Sequence, residues 1–392
     1  MLKKPNIAAT LIAFGIVAIL LLAAAVGEQS LERHYIHALA PILFPEKNQG
    51  ISLQRMAFNQ TDLLPLYGSS ELVKPAGNKA ADFFHTYPTN FNVFPVGKAG
   101  AASLILLQKL AAVGSELRGK KLIISISPTW FFKESVPVAY YDGNFSLLQA
   151  GELIYSREIS FDLKRDVARR MLKYPKELEK SFLLTFALKQ LASGSPANRL
   201  LYYVTVPLGH LENGILRLQD HFEMLFYIWK DWGRLHPHVR RSPEVIDWNR
   251  LITDATAQVR EHTDSDPEPI GPEQGSGMFV ADEQHAHEWI DFELLLRGLN
   301  ELGARPLLLS IPIDGQYFDQ FGVGRSFRDL YYNRIRRLAQ TYQMPLVTFE
   351  GHDLDEDFLA GHHDHLTDKG WLYFDKAIDD FYHDRQAVPH SM

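Results

Sequence analysis

Five short apolar runs constrain the fold of this 392-residue chain more than any other feature of its sequence. Each run is rich in leucine or β-branched residues and has no polar face, which is typical of strands covered on both sides in a parallel sheet. The runs are residues 63–68, 91–97, 120–127, 305–312 and 344–350. Apolar residues three and four positions apart predict helices over 99–119, 326–342 and 368–383. The sequence therefore predicts an α/β fold with one mostly parallel sheet and helices on both faces.

The interval between the third and fourth runs is far longer than a crossover helix requires, and it predicts a mainly helical insertion at about 134–290. Helical periodicity in this insertion is interrupted at Pro175. A set of helix-spaced aromatic residues follows: Phe222, Phe226, Tyr227, Trp229 and Trp232. Such aromatics usually form a core, so we expect them to pack a helical cap onto the sheet rather than to form a membrane-facing or acceptor-binding groove.

The amino terminus predicts a membrane anchor. Ile7–Val26 carries no charged residue, and as a helix it would be about 30 Å long, which matches a bilayer core. Lys3 and Lys4 precede this run and predict a cytoplasmic amino terminus, with residues 30–392 forming an extracytoplasmic domain. The alternative is a cleaved signal peptide, for which Ala23–Ala25 would offer small residues. Because the run exceeds the usual ~7–15 residues of a signal core, the sequence favours a retained single-pass anchor in the cell membrane.

Charge and cysteine content exclude several kinds of function. The net charge is −7 and there is no long basic tract, so the chain lacks the electrostatic footprint of a nucleic-acid-binding protein. The chain contains no cysteine, which excludes disulfides, thiolate metal sites and cysteine nucleophiles. A protein exposed to an oxidising compartment can carry such a composition safely.

The first apolar run ends in Gly68-Ser69-Ser70, which is where an α/β sheet can present a nucleophile. An ordinary strand-to-loop turn has the same composition. A serine nucleophile requires a base, and the loop after the fifth strand, residues 351–371, contains four histidines among several acids. The alternatives for His362, His363 and His365 are a solvated loop, a metal site, and a cap for the helix that follows. No zincin spacing accompanies these histidines.

A set of ordered motifs resembles the DltD family of teichoic acid D-alanylation proteins, which are membrane-tethered relatives of the SGNH/GDSL hydrolases. The motifs are Gly-Ser-Ser-Glu-Leu at 68–72, Val-Gly-Lys-Ala-Gly at 96–100, residues 126–132, residues 142–146, and His-Leu-Thr-Asp-Lys-Gly-Trp at 365–371. Each of these motifs alone occurs in many unrelated proteins. All five in this order, behind an amino-terminal anchor, are specific to the family. The resemblance implies an SGNH-hydrolase-like sheet.

The resemblance also implies roles for individual residues. Ser70 matches the family's nucleophile, and His365 matches its base. Gly97 and Gly100 fall where these hydrolases place backbone donors for an oxyanion. The family usually carries aspartate three residues before the catalytic histidine, and this chain has His362 there. Asp364 is the nearest substitute for the orienting acid, with two further options at Asp355 and Asp357.

The activity implied by the resemblance is transfer of a D-alanyl group to teichoic acid, including lipoteichoic acid, outside the cell. No organic cofactor or metal is needed for this chemistry. The implied partners are a membrane-bound O-acyltransferase, a D-alanyl carrier protein that acts indirectly, and the polymer acceptor. Two alternatives stay open. One is an O-acetyltransferase or esterase of extracellular polysaccharide, and the other is a non-catalytic partner that docks on the membrane acyltransferase.

Overall fold

A computed structural model of the chain describes residues 4–235, 242–262, 286–320, 322–360 and 365–385; the side chains of residues 4–7, 14, 17–29 and 258–262 lie outside this description. One sheet contains β1 Leu63–Gly68, β2 Asn92–Gly97, β3 Lys121–Ile126, β4 Arg305–Ser310 and β5 Leu346–Thr348. Its order is β2-β1-β3-β4-β5, and all neighbouring strands are parallel. The α/β class and the parallel sheet predicted from the sequence are confirmed.

Helices occupy most of the remaining described residues. The α-helices are α1 Lys4–Leu39, α2 Pro45–Gln49, α3 Ser52–Phe58, α4 Ala80–Thr86, α5 Ser103–Val113, α6 Val138–Asn144, α7 Leu147–Tyr155, α8 Phe161–Met171, α9 Pro175–Leu178, α10 Phe182–Ser193, α11 Pro196–Asp231, α12 Trp248–His262, α13 His287–Glu301, α14 Gly315–Asp319, α15 Arg325–Thr341 and α16 Asp368–Tyr382. A second, antiparallel ribbon pairs β6 Leu359–Ala360 with β7 His365–Leu366. Short 3-10 helices cover Ser70–Leu72, Gly114–Leu117, Pro128–Phe132 and Glu350–His352.

Both faces of the sheet are buried under helices. Successive strand side chains point to opposite faces, so Tyr67 joins one apolar cluster while Leu66 joins another. Helices α1, α5 and α13 contribute to the first cluster, and helices α4, α12 and α16 contribute to the second. The predicted placement of helices on both faces is therefore confirmed, although the edge strand β5 is only half-buried along its length.

Most of the helices between β3 and β4 form a layer on the side of the sheet that carries α5, whereas α12 packs on α16 on the opposite side. Helices α7 and α13 pack on α5, and α10 packs on both α8 and α11. Pro175, where the sequence predicted a break, begins helix α9. Proline is tolerated in the first turn of a helix because its missing N–H would have no partner there.

Helix α1 runs continuously from Lys4 to Leu39. Ile36 and Leu39 are fully buried in the core, whereas Leu11, Ile12 and Ile16 are exposed. Among the described residues, no helix is both long enough and apolar enough to cross a membrane. The predicted spanning helix over residues 7–26 thus finds no support in the described part of the chain.

The aromatic residues of α11 correct one expectation. Phe222, Phe226, Trp229 and Trp232 are exposed instead of forming the core of a cap. Only Tyr227 packs as predicted, with its ring stacked 4.0 Å from that of Phe44. The physical reason is that α11 buries a different face, which includes Tyr202, Met224 and Ile228.

Candidate active site

The carboxyl end of β1 is the point at which the sheet topology places a site. Strand β1 lies between β2 and β3, so the chain connects to one side of β1 and then to the other. In open α/β sheets, ligands bind outside the carboxyl ends of the strands at such a switch point. Ser69 and Ser70 follow β1 directly, and Ser70 begins the 3-10 helix Ser70–Leu72. The sequence-predicted serine therefore lies at the topological switch point.

The turn after β1 is tight because of its glycine. A Cβ atom at Gly68 would lie 2.3 Å from Oε1 of Glu71 and 3.0 Å from Cδ1 of Leu72. The absent side chain lets the chain fold back over Glu71, which is buried. Ser69 is also buried, at 3% exposure, whereas Ser70 is half-buried. Of the two serines, only Ser70 reaches the surface of the turn.

The two glycines predicted to bind an oxyanion hold other partners in this structure. The amide of Gly97 donates a hydrogen bond to Oδ1 of Asn48 at 2.8 Å. The amide of Gly100, which has a φ of 80°, donates to Oγ of Ser69 at 3.0 Å. The first bond ties the end of β2 to helix α2, and the second ties the loop after β2 to the β1 turn. Neither amide is directed at Ser70 in this geometry, so their oxyanion role stays a prediction.

Glu71 is a site residue to which the sequence analysis gave no role. Its Oε1 accepts a hydrogen bond from the amide of Ser69 at 2.8 Å. Burial raises the pKa of the Glu71 carboxyl, while the Ser125 hydroxyl, the Ser69 amide and the charge of His365 act in the opposite direction. The sequence did carry a signal for this role, because Glu71 directly follows the candidate nucleophile in the turn after β1.

His365 is brought to the Ser70 turn by the small antiparallel ribbon. Strand β7, which starts at His365, pairs with β6 and packs against the 3-10 helix Ser70–Leu72. The sequence predicted a loop here, and this prediction was wrong, because Ala360 and His365 are paired residues of the ribbon. His365 is buried at 9% exposure. The structure thus brings together the two elements that carry the predicted nucleophile and base.

The segment after His365 is fixed by hydrogen bonds. Thr367 caps helix α16 by accepting from the amide of Gly370 at 3.1 Å, and its hydroxyl donates to the carbonyl of Asp357 at 2.6 Å. Oδ1 of Asp368 accepts from the amide of Gly77 at 2.5 Å and from the amide of Asn78 at 3.3 Å. The capping function weighed for this region therefore belongs to Thr367, and Asp368 ties it to the loop beyond the Ser70 turn.

Of the candidate acids that could orient His365, the structure describes Asp355 and Asp357 but not Asp364. Asp364, together with His362 and His363, lies outside the described residues. Asp355 accepts a hydrogen bond from Nζ of Lys369 at 2.7 Å and contacts Nδ1 of His352 at 3.1 Å. Burial acts to raise the pKa of Asp355, but Lys369 and His352 hold it below its ordinary value. Asp355 is therefore committed to a charge-paired network.

Asp357, the other option for the orienting acid, is connected to the same network. Its amide donates to Oδ1 of Asp355 at 3.2 Å.

Within the ranges that the structure describes, no group of three or more histidine, aspartate or glutamate residues could hold a metal ion.

A small cavity, lined mainly by apolar surface, lies behind the Ser70 turn. It has a volume of about 10 Å³, close to the minimum for one water molecule. Its lining includes Ser69, Ser125 and Glu288. Oε1 of Glu288 accepts from the amide of Ser103 at 2.9 Å. Burial and the neighbouring Asp291 raise the pKa of Glu288 to about 8, so this carboxyl favours its neutral form at neutral pH.

Known proteins resemble this chain over most of its length. A family model described as "DltD protein" matches residues 42–273 and 278–383. Protein DltD of Bacillus subtilis (strain 168) is 28% identical over 361 residues, which cover 88% of each chain. Protein DltD of Staphylococcus aureus (strain NCTC 8325 / PS 47) is 25% identical over 339 residues, or 84% of this chain and 83% of the relative. Protein DltD of Lacticaseibacillus rhamnosus is 21% identical over 358 residues, or 88% and 82%. The ranges matched by the family model include both Ser70 and His365.

Proposed function

Since this chain belongs to the DltD protein family, we propose that it acts in the D-alanylation of teichoic acid or of a related cell-surface polymer. It does so as a serine acyltransferase of the SGNH type, with Ser70 as nucleophile and His365 as base. The observation that carries this proposal is the packing of the His365 strand against the 3-10 helix that Ser70 begins. A serine hydroxyl is a weak nucleophile at neutral pH until an adjacent base accepts its proton.

The proposed reaction has two steps. His365 accepts the Ser70 proton while Oγ of Ser70 attacks the acyl carbonyl, and the bond to the leaving group then breaks as His365 protonates that group. The product is a D-alanyl ester on Ser70. In the second step His365 accepts a proton from an acceptor hydroxyl, whose oxygen attacks the ester. The bond to Oγ of Ser70 then breaks as His365 returns the proton to that oxygen. Backbone amides at the turn, including that of Ser70, stabilise the oxyanion in both steps.

The proposed location is the outer face of the cell membrane. Residues 7–26 anchor the chain, and the catalytic domain faces outward, where polymer acceptors lie. The exposure of Leu11, Ile12 and Ile16 supports this arrangement, because these apolar side chains would be covered by lipid. The proposed partners are a membrane-bound O-acyltransferase that delivers the acyl group, and indirectly the carrier protein that loads it.

A second candidate function is a non-catalytic partner of the membrane acyltransferase. Two observations favour it. His362 stands where the family usually has aspartate, and the amides of Gly97 and Gly100 donate to Asn48 and Ser69. In this reading the Ser70 turn would position the polymer acceptor without forming an acyl-enzyme.

Substitution of Ser70 by alanine separates the two candidates. The Ser70→Ala chain should fold with a stability within about 1 kcal/mol of the parent, because Ser70 is partly exposed. Cells that carry this variant in place of the parent should lose the D-alanyl ester of their wall polymers. The matched control is Ser115→Ala, which removes an exposed hydroxyl far along the chain and should change nothing. Normal ester content in the Ser70→Ala cells would establish the non-catalytic role.

Intact-mass spectrometry provides a direct test of the covalent step. The purified full chain in detergent should gain the mass of one D-alanyl group after exposure to activated D-alanyl esters or thioesters. This adduct should be absent from Ser70→Ala and should form slowly, if at all, in His365→Ala. An adduct that forms equally well on Ser70→Ala would assign the nucleophile to another residue.

A further inference from the structure

Helix α11 exposes a continuous apolar face along nearly its whole length. Its exposed members, here called the α11 stripe, are Leu200, Val204, Leu208, Leu211, Ile215, Phe222, Phe226 and Trp229. Successive residues turn by about 100° around a helix axis, so the spacings of three, four and seven residues place all eight within a sector of roughly 80°. The opposite face contains Tyr202, Met224 and Ile228, which are buried against the rest of the molecule.

The α11 stripe is long and carries no charge. It extends over ~44 Å at 1.5 Å per residue. Leu218 and Leu225, which are half-buried, fall in or beside the same sector. The exposed fraction of its members runs from 42% at Phe222 to 70% at Trp229, so these side chains project from the surface. Soluble monomers rarely expose a continuous apolar patch of this size, which means that the stripe has a partner.

One end of the stripe adjoins the helix that leads to the proposed anchor. The ring of Trp232, just beyond α11, lies 5.6 Å from that of Tyr35 on α1. His221 lies 3.8 Å from the Glu32 carboxylate on the same helix. The uncharged residues 7–26 precede this part of α1 in the sequence. The stripe therefore begins beside the place where the chain would leave the membrane.

The charges and aromatics at this end match a membrane surface. Arg33, Lys230 and Arg234 are all exposed near the junction of α1 with α11, and Arg234 also pairs with Asp231 at 3.7 Å. Cations within a Debye length of a bilayer are attracted to anionic headgroups. Trp229 and Trp232 are exposed at the same end, and tryptophan is enriched at the level of the headgroups. Apolar residues on one face with cations at its border are typical of helices that lie in the bilayer interface.

We propose that the α11 stripe lies in the interface of a lipid bilayer, parallel to its plane, with Trp229 and Trp232 at the level of the headgroups. This inference rests on the membrane anchoring in the proposed function. The anchor holds the chain at the membrane, while the stripe fixes how the catalytic domain is oriented on it. The Ser70 turn is thereby held at a defined height above the lipid surface.

Quenching of tryptophan fluorescence by brominated lipid tests the contact. The chain contains six tryptophans, of which Trp248, Trp289 and Trp371 are buried. The full chain would be reconstituted into vesicles of phosphatidylcholine with about a fifth phosphatidylglycerol, with and without bromine on the acyl chains near the headgroup. We expect brominated lipid to quench the parent, and the double variant Trp229→Phe/Trp232→Phe to lose at least half of that quenching. The matched control, Trp130→Phe, should remain quenched like the parent.

A reporter in the middle of the stripe tests whether α11 lies flat. In the Trp229→Phe/Trp232→Phe background, Leu211→Trp should restore quenching, because residue 211 lies in the same sector. Absence of restoration would show that only the aromatic end touches lipid and would overturn the parallel orientation.

Flotation of the same vesicles on a density gradient separates the two proposals. If the chain floats with the vesicles but brominated lipid quenches the parent and the double variant equally, the stripe proposal is overturned while the anchor stands. If the chain does not float, both are overturned. If quenching is absent and the detergent-solubilised chain is a dimer that Leu211→Glu converts to a monomer, a second copy covers the stripe instead.

Discussion

Among single residues, Glu71 couples the turn of the candidate nucleophile to the candidate base. Its carboxyl accepts the Ser69 amide at 2.8 Å, and its negative charge interacts with His365. A buried charge acts strongly on a neighbouring ionisable group, because the protein interior screens it less than water does. Glu71 is therefore expected to stabilise the positive charge that develops on His365 during the transfer reaction.

The substitution Glu71→Gln tests this electrostatic role. Glutamine keeps an oxygen that can accept the Ser69 amide but removes the charge. Acyl transfer should fall by about tenfold, equivalent to ~1.4 kcal/mol, while the Tm stays near that of the parent. The measurements are kcat/KM and Tm together, because lost packing would lower both. An unchanged kcat/KM would show that the charge of Glu71 does not act on the reaction.

The acid that orients His365 is a second question at this scale. Asp355 is held by Lys369 and His352, so Asp355→Asn should mainly lower thermal stability and cost less than tenfold in turnover. We expect Asp364→Asn to cost more than tenfold and at most on the order of 10⁴, which is the cost of a wrong imidazole tautomer. Turnover of both variants is compared with His365→Ala. If neither aspartate matters while His365→Ala is inactive, the site works as a Ser-His dyad.

At the scale of elements, the apolar runs predicted burial better than they predicted strand pairing. The first run, residues 63–68, coincides with β1, whereas β5 covers only Leu346–Thr348 of the run 344–350. Met344 and Phe349 are buried, but β5 pairs with β4 over three residues only. An apolar residue in the sequence indicates that its side chain is buried. It does not indicate whether the backbone at that position forms hydrogen bonds to a neighbouring strand.

Two further elements lay beyond the reach of sequence patterns. Strands β6 and β7 have two residues each, which is too short to show a period, so the ribbon that positions His365 was expected to be a loop. Helix α11 is apolar on two faces, and periodicity does not reveal which face meets the protein. Burial of Met224 and exposure of Phe226 depend on neighbouring helices that are distant in sequence.

The connection made by Asp368 gives a prediction at the scale of elements. Its carboxylate accepts the amides of Gly77 and Asn78, joining the loop after the Ser70 turn to the start of α16. Asp368→Ala should cost ~1.5–3 kcal/mol in stability and speed hydrogen exchange in residues 74–79. The matched control is Asp380→Ala at the far end of the same helix, where the carboxylate pairs with Lys376. Equal exchange in both variants would mean that other contacts hold the loop.

At the scale of the whole molecule, several carboxyls are buried in the core. Glu288 lies behind the Ser70 turn, and burial raises the pKa of Asp353 to about 7 and that of Asp220 to about 6. None of them could be recognised in the sequence, because an acid at a helix or loop position is usually solvated. The folded state therefore holds protons that the unfolded chain releases at lower pH.

These buried carboxyls predict that stability falls as pH rises from about 5 to 7. In this window the folded chain binds more protons than the unfolded chain, whose carboxyls titrate near pH 4, so each pH unit favours unfolding. The Glu288 carboxyl, with a pKa of about 8, should contribute to this loss of stability across the whole pH window. Glu288→Gln keeps an acceptor for the Ser103 amide without a titrating proton, so its Tm should fall less steeply with pH than that of the parent. The measurement is thermal unfolding of the full chain in detergent at a series of pH values, with the exposed Glu356→Gln as the control. A parent-like slope in Glu288→Gln would mean that Glu288 is ionised in the folded protein and that other groups set the pH dependence.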